Sequence, residues 1–195
     1  KNQKLGSSNI DDLFAGNLCR CTGYRPIKRA ANQISKIAEE ERDNSYLQAE
    51  KEFVIQNLKN DFLSINGKNG QHQFRFDSPK DINTVVEILR ESKPTILSGA
   101  TDIGLWVTKK HMEIEHLLYF GNVKELDVLN ENEVGFEIGA SVSHDVAMQK
   151  LGPYFEGLWE LWRRFGSEQV RASGTVVGNI ANGSPIADIS PAFIA

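Results

Sequence analysis

The sequence is poor in cysteine, in excess positive charge and in long apolar runs, and each shortage excludes a class of protein. Only 2 cysteines occur in 195 residues, so the chain is not a disulfide-rich secreted scaffold. The 22 Lys and Arg face 26 Asp and Glu, and a formal net charge of −4 argues against binding to nucleic acid. The longest apolar runs, such as Leu117 to Phe120, have about four residues, whereas a membrane-spanning helix needs about 20.

The residues that are present are typical of a globular protein. Hydrophobic residues make up 40% of the chain and charged residues 25%, close to the average of soluble proteins. No secretory signal peptide opens the sequence, so we expect a cytoplasmic protein. The chain begins with Lys1 and stops in the apolar run Pro191 to Ala195, from which we expect a fragment.

Three regions differ in their patterning. Residues 1–40 predict a helix–loop–helix, with Asn9 as a cap of the first helix and Pro26 in the first turn of the second. Residues 41–70 are charged and polar, and we interpret them as a linker with one solvent-exposed helix. Residues 71–195 mix strand and helix patterns. The predicted fold class is therefore α+β, preceded by a short all-α part.

Local patterns predict the elements of the third region. A strand over Gln73–Phe76, a capped helix and a strand over Thr95–Ser98 predict a parallel pair with a right-handed crossover. A further strand is predicted over Val134–Ala140 and a helix over His144–Leu151. The glycine-rich stretch Gly174–Pro185 predicts a loop.

Two glycine-rich segments are candidates for a ligand site. Ser98–Gly104 follows a strand, where glycines let backbone N–H groups converge on an anion, although taken alone the pattern favours an ordinary glycine turn. The segment has neither the Lys-Ser/Thr pair of a P-loop nor the G-x-G-x-x-G order of the dinucleotide fingerprint. Gly174–Asp188 alternates glycine with amide and hydroxyl side chains, which suits either a polar ligand or a tightly capped bend. Together the two segments favour a cofactor that carries phosphate.

Cys19 and Cys21 are the third candidate. Thiolates two positions apart on a loop, beside Arg20 and Arg25, can hold one edge of a metal centre. A zinc ion or a 2Fe–2S cluster takes four ligands, and the sequence contains no other cysteine. Two free structural cysteines remain the alternative.

The histidines do not form a recognisable metal-binding or catalytic motif. His111 and His116 are five positions apart rather than the four of a helical zinc motif, so they diverge around a helix. His144 has no nucleophile beside it, and no catalytic triad is predicted.

Three segments resemble a known family. The string from Gly16 to Ile27 (G-N-L-C-R-C-T-G-Y-R-P-I) is similar to the second half of the helical iron–sulphur domain of the xanthine dehydrogenase and aldehyde oxidase family of molybdenum hydroxylases. Ile96–Gly104 is similar to that family's first FAD loop, and Gln169–Arg171 with Gly174–Asp188 to its second. The segments follow the family's order, and the arrangement most resembles the iron–sulphur and FAD small subunit of bacterial xanthine dehydrogenases.

The resemblance implies a division into domains and a set of site residues. It implies the C-terminal half of a helical 2Fe–2S domain in residues 1–40, a linker in 41–70 and a truncated FAD-binding domain in 71–195. Cys19 and Cys21 match two of the four cluster thiolates, and the partner C-x-x-C pair is missing. The residues matching the loop around the FAD diphosphate are Leu97, Ser98, Gly99, Ala100, Thr101, Asp102 and Ile103. Phe165 matches an aromatic residue against the flavin ring. The polar contacts along the flavin match Thr175, Asn179, Asn182 and Asp188.

The resemblance also implies a function. Electrons would pass from a molybdenum cofactor, on a separate subunit or an absent region, through 2Fe–2S clusters to FAD and then to NAD, in the oxidation of hypoxanthine and xanthine to urate. The implied partner is a molybdenum-binding subunit or domain in a hetero-oligomer, with neither nucleic acid nor membrane involved, and no catalytic residue is expected in this chain. The same relay in another molybdenum hydroxylase, such as aldehyde oxidase, and a non-redox nucleotide-binding module are the alternatives.

Overall fold

The computed structural model describes residues 10–34, 36–37, 45–57, 62–183 and 187–195. The chain divides into two compact units, residues 1–60 and 61–195. Asn9, predicted to cap the first helix, lies outside the described residues.

The first unit contains three helices. They are α1 (Ile10–Phe14), α2 (Arg25–Ile34) and α3 (Ser45–Asn57). Ile10 of α1 is fully buried, and Asp11 forms an ion pair of 2.7 Å with Nζ of Lys28 on α2. Pro26 stands in the first turn of α2, where its missing N–H removes no helical hydrogen bond. The side chains of α3 are exposed from Ser45 to Gln56, as expected for a helix outside a core.

The second unit begins with a four-stranded sheet. Its strands are β1 (Leu63–Asn69), β2 (His72–Ser78), β3 (Thr95–Leu97) and β4 (His116–Tyr119), in the order β1-β2-β4-β3. β1 and β2 form an antiparallel hairpin, whereas β2 and β3 both run parallel to β4. The predicted strand pair β2 and β3 is therefore wrong as a direct pair, because β4 inserts between them. A strand–helix–strand pattern predicts the parallel direction but does not reveal a later strand that occupies the gap.

Strand β1 lies in the stretch that the sequence analysis assigned to the linker. The turn at Gly70, with a φ of +62°, closes the hairpin and pairs Asn69 with His72. Leu63 and Ile65 alternate with Ser64 and Asn66, but the alternation ends at Gly67, so the sequence signal for this strand is short. Gly67 is the one half-buried position of β1.

A buried polar cluster joins the three neighbouring strands β1, β2 and β4. Asp77 is fully buried, accepts a hydrogen bond of 2.6 Å from Ser64 and lies 2.7 Å from Nε2 of His116. Its carboxylate also pairs with Arg75 at 2.7 Å. Burial alone would raise the pKa of Asp77, but the contacts with Ser64, His116 and Arg75 outweigh it and lower the pKa. Asp77 thereby stays ionised although it is buried. A shift in the pairing of β2 with its neighbours would separate the carboxylate from Ser64 and His116, so the cluster favours the observed register.

The second unit contains two apolar cores. Helix α4 (Ile82–Glu91), capped by Asp81, packs Val85 and Ile88 against Leu118 of β4. The second core is built by the hairpin of β5 (Leu129–Asn132) and β6 (Gly135–Ile138) and by the helices α6 (His144–Leu151), α7 (Glu156–Arg164), α9 (Val176–Asn182) and α10 (Ile189–Ile194). Trp162 is its largest fully buried side chain.

Three smaller elements complete the unit. They are α5 (Ile103–Thr108), a single 3-10 turn (Lys124–Leu126) and α8 (Glu168–Ser173). The helix over His144–Leu151 is confirmed, and the strand predicted over Val134–Ala140 is confirmed over Gly135–Ile138. The loop predicted over Gly174–Pro185 is wrong for Val176–Asn182, which form α9. Among the described residues, no helix has both the length and the apolar character needed to cross a membrane.

Candidate functional site

The turn after β3 exposes unpaired backbone donors. Ala100 adopts a left-handed conformation with φ of +61°, and the N–H groups of Gly99, Ala100 and Thr101 find no acceptor among the described residues. Such a run of free N–H groups at a turn is suited to an anion. The turn is fixed at one side by the hydroxyl of Ser98, which donates to the carbonyl of Ala140 at 3.1 Å.

Gly99 lets the second glycine-rich segment approach the turn closely. A Cβ on Gly99 would lie 2.7 Å from Cα of Gly174 and closer still to the carbonyl oxygen of Ser173. Both of these neighbours are backbone atoms, so no side chain could move aside. Glycine at position 99 is therefore required for the contact between the two segments.

A short backbone bridge holds the second segment in place. Ser143 and Thr175 form an antiparallel bridge, in which His144 donates its N–H to the carbonyl of Gly174 at 2.9 Å. The hydroxyl of Thr175 then accepts from the N–H of Gly178 at 3.2 Å and caps α9. The amide side chains that sequence reasoning placed on a loop thus project from a capped helix.

Two cavities share the turn as part of their lining. The first has a volume of about 420 Å³ and the second of about 350 Å³, and both are lined by Ser98, Gly99, Ala100 and Thr175. Leu97, Tyr119, Asp127 and Ser141 belong to the first alone. The second is additionally lined, among others, by Thr101, Asp102, Ile103, His144, Phe165, Asn179 and Asn182.

The structure brings together most of the side chains that the sequence analysis assigned to FAD. All of them line one cavity or the other except Asp188, which lines neither and stands exposed at the start of α10. Residues 184–186, which precede it, lie outside the described part of the chain. Asp102 stands at the N-cap position of α5 without a side-chain capping bond, so its carboxylate is available to the cavity.

Phe165 is held by a buried arginine. Nη1 of Arg171 donates to the carbonyl oxygen of Phe165 at 2.9 Å, which fixes the backbone where α7 ends. Arg171 is 6% exposed, and its Nε has no hydrogen-bond partner among the described residues. The bond tethers α8 to the end of α7, and the Phe165 side chain is thereby presented to the second cavity.

Sequence reasoning missed His144 as a residue of this site. The ring is 2% exposed, lies 4.7 Å from the ring of Phe165 between centroids, and accepts a hydrogen bond at Nδ1 from Nε1 of Trp162 at 3.3 Å. Burial, and then the nearby charge of Arg171, lower the pKa of His144 to about 4. The available signal was a histidine at the first position of a helix whose later apolar residues are buried.

The donors and acceptors of the cavities fit FAD. Neither lining contains a lysine or arginine among the described residues, so the free N–H groups of residues 99–101 are the donors that remain for a diphosphate. Oδ1 of Asn179 is buried beside the second cavity without a partner among the described residues, as expected of an acceptor that a ligand satisfies. Two cavities joined at one turn suit an extended ligand with two ends.

The cysteine loop offers two thiols and no third ligand in its described surroundings. Cys19 is half-buried, its Sγ lies 3.2 Å from the hydroxyl of Thr22, and this contact lowers the pKa of Cys19. Within the described ranges, no group of three or more His, Cys, Asp or Glu could hold a metal ion. A 2Fe–2S cluster at Cys19 and Cys21 would take its other two thiolates from outside this sequence, so these residues alone do not fit a cluster.

Comparison with known proteins gives a family match over the second unit. Residues 72–195 match the sequence model described as the FAD binding domain in molybdopterin dehydrogenase. A xanthine dehydrogenase of Emericella nidulans is 24% identical over 237 aligned residues, covering 95% of this chain and 17% of the relative. An indole-3-acetaldehyde oxidase of Arabidopsis thaliana is also 24% identical, covering 91% of this chain and 15% of the relative.

A solved structure shows the same fold. Carbon monoxide dehydrogenase from Hydrogenophaga pseudoflava, in a form that lacks the Mo-pyranopterin moiety of the molybdenum cofactor, superimposes with a TM-score of 0.55. The match covers 64% of this chain and 43% of that chain at 24% identity. The sequence thus spans 17% and 15% of the two relatives and 43% of the chain in the solved structure.

Proposed function

The chain belongs to the FAD-binding domains of molybdopterin dehydrogenases, and from this premise we propose that it is the flavin part of an electron relay in a molybdenum hydroxylase. The observation that carries the proposal is the meeting of Ser98–Asp102 and Thr175–Asn182 at two cavities that present free N–H groups and an unpartnered buried acceptor. FAD, when bound, can take up single electrons and give up a pair.

The chain's own residues would bind and orient this cofactor. The N–H groups of residues 99–101 would hold the diphosphate, since no cationic side chain in the described lining does so. The amides of Asn179 and Asn182 would bond the uncharged portion of the cofactor, and Phe165 would cover the ring face. Phe165 and Ile103 would also exclude water from the cavity.

The iron–sulphur function is a further part of the proposal. Cys19 and Cys21 would supply two thiolates to a 2Fe–2S cluster that a C-x-x-C pair elsewhere in the enzyme completes. The hydrogen bond between Thr22 and Cys19 and the lowered pKa of Cys19 favour the thiolate that a cluster needs. We also propose the division into a cluster part in residues 1–40, a linker in 41–70 and a flavin part in 71–195, with the last linker residues joining the sheet of the flavin part as β1.

For substrate and partners we propose the xanthine dehydrogenase type. A relative that covers 95% of the chain is a xanthine dehydrogenase, whereas the aldehyde-oxidising relative covers 91%. The proposed enzyme oxidises hypoxanthine and xanthine to urate, passes electrons to NAD, and includes a molybdenum-binding subunit or domain in a cytoplasmic hetero-oligomer. The family match does not favour the non-redox nucleotide-binding alternative.

Flavin binding and anaerobic reduction test this proposal. The full chain, purified with its partners, is expected to contain FAD and to lose flavin absorbance when xanthine is added without oxygen. Loss of absorbance with an aldehyde alone would contradict the substrate, and absence of flavin would contradict the relay.

A matched pair of asparagine variants tests the site itself. Asn179→Leu removes the unpartnered acceptor and is expected to weaken FAD rebinding by up to about tenfold, the value of one hydrogen bond. Asn130→Leu, on the exposed face of β5, is the control and is expected to leave FAD binding unchanged. Equal affinities in a fluorescence titration would show that Asn179 does not contact FAD.

A further inference from the structure

His144 has one ring nitrogen occupied and one that is not. Nδ1 accepts from Nε1 of Trp162, and Nε2 has no partner among the described residues. The ring lines the second cavity, whereas Trp162 does not. The Nε2 edge is thus the one that a ligand in the cavity can contact. The residue as a whole is only 2% exposed.

Trp162 determines which nitrogen carries the proton. The indole N–H can only donate, so the Nδ1 that faces it must be unprotonated. A neutral imidazole has one N–H, which then stands on Nε2. Burial and the charge of Arg171 keep the ring neutral by lowering the pKa of His144 to about 4. The geometry therefore leaves an N–H donor directed to the cavity.

The lining of the cavity indicates what this donor would meet. Asp102 and His144 are the titratable side chains among its described lining residues, and no cation is present there. A neutral donor packed against the ring of Phe165, 4.7 Å away between centroids, suits an uncharged acceptor more than a phosphate. The carbonyl oxygens, ring nitrogens and ribityl hydroxyls of a flavin are acceptors of this kind.

We propose that His144 is a binding residue for FAD, donating from Nε2–H to an uncharged acceptor of the flavin, and that Trp162 is the positioning residue that fixes its tautomer. This inference rests on the proposed function, since it assigns a further contact of the same cofactor. It adds a pair of residues, one on α6 and one on α7, that lie outside the two segments predicted for FAD.

Two substitutions at one position separate the donor from the acceptor. His144→Asn can place an amide where Nδ1 stands and still accept from Trp162, but its side chain is too short to put a donor at the Nε2 position. His144→Gln can reach the Nε2 position with an N–H. We expect FAD to bind about threefold to tenfold more weakly to the Asn variant, and within about twofold of the wild type to the Gln variant.

Nitrogen-15 NMR of histidine-labelled full chain reads the tautomer without relying on flavin. The His144 signals are expected to show the Nε2–H form at pH 7 and to shift when FAD is added. In Trp162→Phe they are expected to show a mixture of both tautomers, and FAD affinity is expected to fall although Trp162 does not line the cavity.

The outcomes distinguish this inference from the proposal on which it rests. Wild type that binds no FAD overturns the proposed function and the inference with it. Wild type and both His144 variants that bind FAD equally overturn the inference alone. An Nδ1–H tautomer, or His144 signals that FAD leaves unchanged, also overturn the inference, even if the variants fail to fold.

Discussion

The burial of His144 as a neutral ring makes the stability of the fold depend on pH. In the unfolded chain this histidine takes up a proton near its ordinary pKa of 6.5, and in the folded chain only near about 4. Below pH 6.5 the unfolded state therefore binds more protons than the folded state. Stability is expected to be full at pH 7 and above and to fall as the pH drops from 6.5 towards 4.

The expected loss between pH 7 and pH 5 is about 2 kcal/mol in the free energy of unfolding. Urea unfolding of the full chain without flavin at these two pH values measures it. His144→Gln is the matched control, because it keeps every other titratable side chain of the chain. The same pH dependence in both would show that His144 does not contribute.

At the scale of elements, two glycines of the segment after β3 differ in their surroundings, so replacing each by alanine is expected to change the free energy of unfolding in opposite directions. Gly99→Ala would push a methyl group into the backbone of Ser173 and Gly174, and we expect a loss of about 1–3 kcal/mol in the free energy of unfolding. Gly104→Ala is the control within the same segment. Its added methyl meets no atom within 4 Å, and in helix α5 alanine is favoured over glycine by up to about 1 kcal/mol.

Thermal or urea unfolding of both variants checks these opposite signs. Equal stability of Gly99→Ala and the wild type would mean that the turn and α8 do not lie as close as the structure shows. A destabilised Gly104→Ala would contradict the open surroundings of that residue.

Local sequence patterns predicted elements better than they predicted pairings. The alternation in β2 and the capped apolar pattern of α4 depend on neighbours along the chain, and both elements are present. The order of the sheet depends on β4, which follows β3 by a long connection and has no local signal for its position. Helix α9 was missed because Gly174, Gly178 and Gly183 suggest a loop, although Thr175 caps the helix and Gly183 ends it in a left-handed conformation.

The candidate site was also predictable only in part, because some of its residues form local sequence patterns and others depend on contacts that are distant in the sequence. The resemblance to FAD loops predicted Leu97–Ile103, Phe165, Thr175, Asn179, Asn182 and Asp188 as site residues. The structure brings all of these except Asp188 to the two cavities, while their contact with FAD stays a prediction. His144 was not located, because its role depends on Trp162, 18 positions along the chain on another helix. Family membership itself is confirmed by the match over residues 72–195.

At the scale of the whole molecule, the two units allow the metal and the flavin to be tested separately. In the complete enzyme we expect Cys19→Ser to abolish the spectral signal of one 2Fe–2S cluster and to slow turnover sharply, because serine replaces a thiolate ligand. Iron content, visible absorbance and electron paramagnetic resonance measure the effect. Flavin content is the internal control, since FAD is expected in the second unit, and unchanged iron would show that Cys19 is not a ligand.

The close approach of Gly99 to Ser173 and Gly174 also has a consequence for the order in which the molecule is made. The two sides of the cofactor site lie some seventy residues apart in the sequence, and the bridge between Ser143 and Thr175 must close before either cavity has its second wall. A chain emerging from the ribosome exposes the first loop long before the second is synthesised. FAD, as proposed here, would then enter late in biogenesis, after both segments have been synthesised and the bridge has closed.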